Sequence, residues 1–283
     1  MSEQARFFVT PDWLQDNLKT PGVTIVDGSW YLPAQDRDPK AEYEAGHIPG
    51  AVFFDHEQVV SPDSDLPHTL PSPEEFARIV GTAGITADDT IIVYDGPGLF
   101  TAPRVWWMFR TYGAKDVRIL EGGIDGWKTA GRPLTADLTK IAPAVFKVDA
   151  HPERIASFED MMRIVETGER QIADARPAGR FTGNDPEPRE GMRSGHMPGA
   201  RSLPALSLSR DGKLLPADEL KAKVESAGID LQKPVVTSCG SGITAAVLSL
   251  ALESLGHKDL KLYDGSWSEW GGRSDTPLAK GEA

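Results

Sequence analysis

Cysteine occurs once in this chain of 283 residues, at Cys239. It follows the apolar run 235–238 and precedes residues 244–254, whose apolar spacing is helical. The thiol is therefore predicted to lie in a loop between a strand and a helix N-terminus. Unpaired N–H groups and the positive end of the helix dipole favour a thiolate over a thiol there. A lone cysteine can also be a buried structural residue, but this position predicts a nucleophile.

The loop itself reads Cys-Gly-Ser-Gly-Ile-Thr-Ala over residues 239–245. Gly240 and Gly242 allow the backbone to turn so that successive N–H groups converge on one anion. Ser241 places a hydroxyl two residues after the thiol, and Thr244 is predicted to cap the helix, although that role could be purely structural. The loop, including Ile243, is a predicted cradle for a thiolate or persulfide.

The elements around this loop occur twice along the chain, which indicates a tandem duplication. In each half, short apolar runs alternate with helical patterns such as 73–84 and 217–228, and a glycine, Gly84 or Gly228, ends each of these patterns. This alternation predicts two α/β domains, each a mostly parallel β-sheet flanked by helices. The repeated pieces are residues 24–27, the motif Ala-Gly-His-Ile-Pro-Gly-Ala at 45–51, 91–94 and Trp127 in the first half, and 171–174, the motif Ser-Gly-His-Met-Pro-Gly-Ala at 194–200, 235–238 and Trp270 in the second.

Domain boundaries follow from the unrepeated segment between the two halves. We predict a first domain at 1–135, a linker rich in Ala, Thr, Pro and Lys at 136–152, and a second domain at 153–283. In the first half, Asp95 occupies the place that Cys239 has in the second. The first domain is therefore expected to be catalytically inactive.

The Cys239 loop and the two Gly-His-Ile/Met-Pro-Gly-Ala motifs resemble the rhodanese superfamily over nearly the whole chain. The loop is most similar to members that use 3-mercaptopyruvate. The resemblance implies a sulfurtransferase that carries sulfur as a persulfide on Cys239, releases pyruvate, and delivers sulfur to a thioredoxin-like protein, a small thiol or cyanide. Thiosulfate is the alternative donor, but its users carry bulky basic residues after the cysteine, where this chain has Gly240 and Ser241.

Two arginines in the loop 179–189 are candidates to bind the donor, because a guanidinium matches a carboxylate with paired hydrogen bonds. Taken alone, each could be a solvated surface residue. The resemblance implies that Arg180 and Arg189 hold the substrate, together with the backbone of the cysteine loop.

Sulfur transfer also requires proton movement at the donor. The resemblance implies a relay of Ser241, His47 and a carboxylate, with His47 reaching across from the first domain. Asp36 is our choice for that carboxylate, and Asp38 is nearly as good. His47 and its repeat counterpart His196 could instead be structural histidines that hydrogen-bond their own turn.

Composition excludes several other classes. The formal net charge of −12 and a pI of about 5.0 disfavour nucleic acid and anionic membrane surfaces as partners. We expect a cytoplasmic protein without metal or cofactor, because no secretion signal, membrane span or close histidine–cysteine cluster is visible. A phosphatase with a related loop would need an arginine where the chain has Ala245. A binding module without catalysis is disfavoured by the glycine-framed Cys239.

Overall fold

The computed structural model describes residues 4–96, 98–139 and 141–282. It divides into two compact units: residues 1–62, 70–151 and 211–213 form the first, and 63–69, 152–210 and 214–283 form the second. Most of the segment predicted as a linker belongs to the first unit. The N–H groups of Ala144 and Asp149 donate to the carbonyls of Gly81 and Tyr112, and Phe146 is buried. The segment therefore packs on the first unit instead of hanging between domains.

The first unit is built on a five-stranded sheet in which all paired strands are parallel, in the order β1-β5-β4-β2-β3. Apolar and β-branched residues fill its central strands, as expected for a sheet buried on both faces. The strands are β1 (Phe8–Val9), β2 (Val23–Asp27), β3 (Ala51–Phe53), β4 (Thr90–Tyr94) and β5 (Asp116–Leu120), and the helices are α1 (Pro11–Asn17), α2 (Pro39–Ala45), α3 (Pro73–Thr82), α4 (Ala102–Thr111) and α5 (Gly123–Thr129), with short 3₁₀ turns at Gln4–Phe7 and Pro33–Gln35.

The second unit repeats this topology with the strand order β6-β12-β11-β7-β8, again entirely parallel. The predicted fold class, two α/β domains with parallel sheets, is confirmed. The strands are β6 (Ile155–Ala156), β7 (Gln171–Asp174), β8 (Ala200–Ser202), the short pair β9 (Ser209–Arg210) and β10 (Lys213–Leu214), β11 (Val235–Ser238) and β12 (Leu260–Tyr263), and the helices are α6 (Phe158–Thr167), α7 (Ala178–Thr182), α8 (Ala217–Ser226), α9 (Ala245–Ser254) and α10 (Ser266–Trp270), with 3₁₀ turns at Pro152–Arg154 and Ala205–Leu208.

Glycine ends α3 and α8 as the sequence predicts. Gly84 and Gly228 follow these helices at φ +78° and +76°, in the left-handed region that disfavours a side chain. Gly84 is doubly constrained, because a Cβ there would lie 2.2 Å from a methyl carbon of Ile141.

Helix α9 is buried along its whole length and packs against β11 and β12. Its apolar surface on every side is typical of a central core helix. The Cys239 loop is thus held between a central strand and a core helix, which limits its freedom to move. Within the described ranges, no helix combines the length and apolar character needed to cross a bilayer.

Candidate active site

Cys239 lies at the carboxyl end of β11, the central strand of the second sheet, and is 2% exposed. Its backbone N–H donates to Ser266 Oγ at 3.1 Å, and its carbonyl accepts from the Trp267 N–H at 2.9 Å. The next carbonyl, that of Gly240, accepts from both the N–H and the hydroxyl of Ser268. Three consecutive residues, 266–268, therefore anchor the start of the loop.

The rest of the loop closes tightly around this anchor. Gly242 turns at φ +80°, and Ser241 and Ile243 are buried. Thr244 is the N-cap residue of α9, as predicted, but its side chain makes no capping hydrogen bond.

Both predicted arginines lie against the Cys239 loop. A Cβ built on Gly240 would lie 3.2 Å from Arg180 Nη2, so the guanidinium sits directly beside this glycine. Arg189 Nη1 is 3.4 Å from Ser268 Oγ, whose hydroxyl donates to the Gly240 carbonyl at 2.7 Å. Arg180 thus lies beside Gly240, the residue after the thiol, and Arg189 is linked to the same residue through Ser268.

Glu187, which the sequence did not single out, fixes one of these arginines. Its side chain is 3% exposed; Oε1 accepts from Arg176 Nη1 at 2.7 Å, and Oε2 accepts from Nε and Nη2 of Arg180. Arg176 is itself buried, paired with Asp174 at 2.6 Å and stacked over Trp267. Burial lowers the pKa of Arg176, but Asp174 and Glu187 outweigh it and leave that pKa above its usual value.

The resulting chain of alternating charges runs from Asp174 through Arg176 and Glu187 to Arg180. Glu187 binds Nε and Nη2 of Arg180 and so fixes the guanidinium, whose Nη2 is also its atom nearest to Gly240. Charge-assisted bonds of this kind fix orientation as well as charge.

The equivalent loop in the first unit shows what its backbone can bind. Asp95 follows β4 as Cys239 follows β11, and its Oδ2 accepts from the backbone N–H groups of Phe100, Thr101 and Ala102 at 2.7–2.9 Å. Burial raises the pKa of Asp95, while these N–H groups act to lower it. In the first unit the converging N–H groups are therefore occupied by a side chain of the protein itself.

His47 and His196 occupy matching positions in the two units. Each ring stacks on an aromatic residue, Tyr43 or Phe181, with centroids 4.0 and 3.9 Å apart, and each Nδ1 contacts the carbonyl of that residue. Since a carbonyl only accepts, Nδ1 carries the proton. Among the residues that the structure describes, His47 Nε2 has no hydrogen-bond partner, and the side chain is completely buried.

The predicted hydrogen bond from Asp36 to His47 is not formed, because Tyr43 provides the acceptor for Nδ1. Asp36 is exposed in a left-handed conformation at φ +48°. Asp38, the other candidate, accepts from the N–H groups of Lys40 and Ala41 and so caps α2. The orientation of the His47 ring is set by the backbone in this structure.

Two parallel sheets, each with a loop that leads from its central strand into a helix, are the features by which this chain can be compared with known protein families. The model of the Rhodanese-like domain matches residues 10–130 and 157–273. The chain belongs to this family.

Individual relatives extend the similarity over nearly the full chain. The chain is 44% identical over 273 residues to the 3-mercaptopyruvate sulfurtransferase of Escherichia coli K12, covering 96% of this chain and 97% of that protein. It is 37% identical to thiosulfate/3-mercaptopyruvate sulfurtransferase 1, mitochondrial, of Arabidopsis thaliana, covering 97% and 78%. The crystal structure of SseA from Escherichia coli, a 3-mercaptopyruvate sulfurtransferase, matches with a TM-score of 0.86 and 42% identity over 92% of this chain and 98% of that one.

The buried position of Glu187 between two arginines yields a stability prediction. Glu187→Gln should lower the free energy of unfolding by about 3 kcal/mol, because it leaves the buried Arg176 and the partly buried Arg180 sharing one neutral amide. Urea denaturation followed by tryptophan fluorescence measures the change. Glu190→Gln is the matched control: it makes the same substitution at an exposed position of the same loop, and should change stability by less than about 0.5 kcal/mol. Equal effects would contradict the buried charge chain.

Proposed function

We propose that this chain takes sulfur from 3-mercaptopyruvate onto Cys239 as a persulfide and delivers it to an acceptor thiol or to cyanide. The observation that carries the proposal is the placement of Arg180 beside Gly240, the residue after the nucleophile, with Arg189 linked to the same residue through Ser268. A small keto acid with a terminal thiol needs both features: cations for its carboxylate and a nucleophile within reach of its sulfur. Relatives with this donor in their names share the fold over nearly the whole chain.

In the first half-reaction, the Cys239 thiolate attacks the donor sulfur while the arginines hold the carboxylate. The new S–S bond forms as the C–S bond breaks, and the electron pair of that bond passes to carbon as the enolate of pyruvate. The proton of the donor thiol ends on this carbon, giving pyruvate and a persulfide anion. In the second half-reaction an acceptor thiolate or cyanide attacks the outer sulfur and regenerates the Cys239 thiolate.

The loop geometry supports a negatively charged persulfide. In the first unit, three backbone N–H groups at the corresponding turn bind the Asp95 carboxylate. The Cys239 loop connects the equivalent strand and helix, and Gly242 turns its backbone before α9. We propose that its N–H groups serve the persulfide in the same way, with the backbone from Gly240 to Thr244 lining the donor site.

Thiosulfate is the second candidate donor, because relatives such as the Arabidopsis protein carry both donors in their names. Side chains next to the thiol favour mercaptopyruvate: Gly240 and Ser241 add no cation beyond the two arginines. The acceptor, whether a thioredoxin-like protein, a small thiol or cyanide, and the cytoplasmic location stay predictions.

The experiment that tests the function is intact-mass analysis after incubation with each donor. The wild-type chain should gain the mass of one sulfur atom with mercaptopyruvate and release pyruvate, and Cys239→Ser should do neither while keeping its unfolding midpoint. Phenyl phosphate is included because phosphate release would support the related phosphatase chemistry. A gain of sulfur by Cys239→Ser would show that Cys239 is not the nucleophile.

Removal of either arginine should weaken donor binding. Arg180→Ala or Arg189→Ala should raise KM for mercaptopyruvate by the equivalent of about 1.5–3 kcal/mol, typical of a hydrogen bond to a charged group. Steady-state pyruvate release measures it. Arg210→Ala is the control, since that side chain is 65% exposed and pairs only with Glu219 among its described ion pairs. An unchanged KM in both site variants would remove the arginines from the donor site.

The relay prediction can be tested with two identical substitutions in matching motifs. His47→Gln should lower kcat by about a hundredfold, the lower range of general acid–base effects, because Nε2 holds an unpaired lone pair. His196→Gln removes the same stacked ring from the second unit and controls for loss of structure. Ser241→Ala should lower kcat as well if Ser241 passes the proton. Equal kcat values in the two histidine variants would show that both rings are structural.

A further inference from the structure

Ser266 holds a backbone conformation that serine rarely adopts. It lies at φ +49° in the left-handed region and is fully buried. The corresponding residue of the first unit is Gly123, at φ +57°, in the turn that leads from β5 into α5 as Ser266 leads from β12 into α10. Glycine is the ordinary solution for this turn, because a Cβ is sterically disfavoured there. The second unit therefore carries a strained side chain where the first unit has none.

The strained backbone of Ser266 places its hydroxyl next to Cys239. Its Oγ accepts from the Cys239 N–H at 3.1 Å, donates to the Tyr263 carbonyl at 2.8 Å, and lies 4.0 Å from Cys239 Sγ. In the first unit, a Cβ at Gly123 would be 2.4 Å from the Asp95 carbonyl oxygen, so no side chain fits. The second unit therefore has space for a hydroxyl beside Cys239, whereas the first unit has no such space beside Asp95.

We propose that Ser266 is a further residue of the sulfur-transfer site, acting directly on the reacting sulfur, an inference that rests on the proposed function. Its hydroxyl has one hydrogen and two acceptors within reach, the Tyr263 carbonyl and Sγ. When Sγ carries negative charge, the hydrogen turns from the carbonyl to the sulfur, because hydrogen bonds to charged acceptors are stronger. When the outer persulfide sulfur holds the charge, the hydrogen returns to Tyr263. No proton is transferred in either movement.

This role is distinguishable from a structural one, because Ser266→Gly removes the hydroxyl and the strain together. We expect Ser266→Gly to load sulfur from mercaptopyruvate about tenfold to a hundredfold more slowly, as for loss of a hydrogen bond to a charge, and to lose less thermal stability than Ser266→Ala, because relief of the backbone strain offsets part of the lost hydrogen bonds. Ser266→Ala keeps the strained backbone and should show the same rate loss with a lower unfolding temperature. Single-turnover pyruvate release measures the loading rate.

Ser254→Ala provides the matched control. Ser254 is also buried, and its hydroxyl donates to the Ala251 carbonyl three residues earlier at 2.7 Å, just as Ser266 does to Tyr263, but it lies at the far end of α9 from the Cys239 loop. The Ser254→Ala variant should load sulfur at a rate within twofold of that of the wild type.

A second readout follows alkylation of Cys239 by iodoacetamide against pH. Both Ser266 variants should need a higher pH to reach half of the limiting alkylation rate, because the hydroxyl no longer stabilises the thiolate, and Ser254→Ala should match the wild type. Loading rates and alkylation profiles unchanged in both Ser266 variants would overturn the proposal. Failure of the wild type to load sulfur from mercaptopyruvate would instead overturn the proposed function itself, and the alkylation profiles would still test the contact between Ser266 and the thiolate.

Discussion

One buried carboxylate, that of Glu187, determines where positive charge faces the nucleophile. An arginine side chain has many rotamers, and an unpaired guanidinium beside a buried loop would either swing to solvent or suffer a large desolvation penalty. Glu187 prevents both by binding Nε and Nη2 of Arg180, and Arg176 holds Glu187 in turn. The direction of Arg180 toward Gly240 is thereby set before any donor arrives. Preorganised charge of this kind needs no rearrangement at the moment of reaction.

The two units share one fold but differ in the residue that follows the central strand, which is Asp95 in the first and Cys239 in the second. In both units a loop follows that strand and enters a helix, and in the first unit the backbone N–H groups of this loop converge on Asp95. What differs is the neighbouring turn between the last strand and the last helix. Gly123 packs a bare backbone against the first loop, whereas Ser266 brings a hydroxyl to the second. The two units therefore differ in two adjacent turns, one at Cys239 or Asp95 and the other at Ser266 or Gly123.

Local patterns predicted the fold well because the strands and helices are determined by short-range periodicity. The runs 171–174 and 235–238 are strands with the predicted bounds, and the proximity of Arg180 and Arg189 to the cysteine loop agrees with the expectation from resemblance. Features that depend on contacts between distant segments were missed. Glu187 and Ser266 read as ordinary polar loop residues until the fold brings each to its partner.

The errors have physical causes of the same kind. The segment 136–152 lacks periodicity, which predicts a linker, but its backbone N–H groups pair with carbonyls near the ends of α3 and α4. The resemblance implies a carboxylate beside His47, whereas the carbonyl of Tyr43, one helical turn away, contacts its Nδ1. Backbone acceptors carry no sequence signature, so side-chain reasoning overlooks them.

The side chain of Asp95 in the first unit resembles the persulfide that is proposed for Cys239 in the second. An aspartate and a cysteine persulfide have the same number of bonds between Cα and the terminal charged atom, oxygen in one and sulfur in the other. The oxygen of Asp95 that accepts from the N–H groups of Phe100, Thr101 and Ala102 corresponds in bond count to the outer sulfur of the proposed persulfide. With the proposed function, a single chain carries one anion site that its own carboxylate fills permanently, and a second that fills and empties with every catalytic cycle.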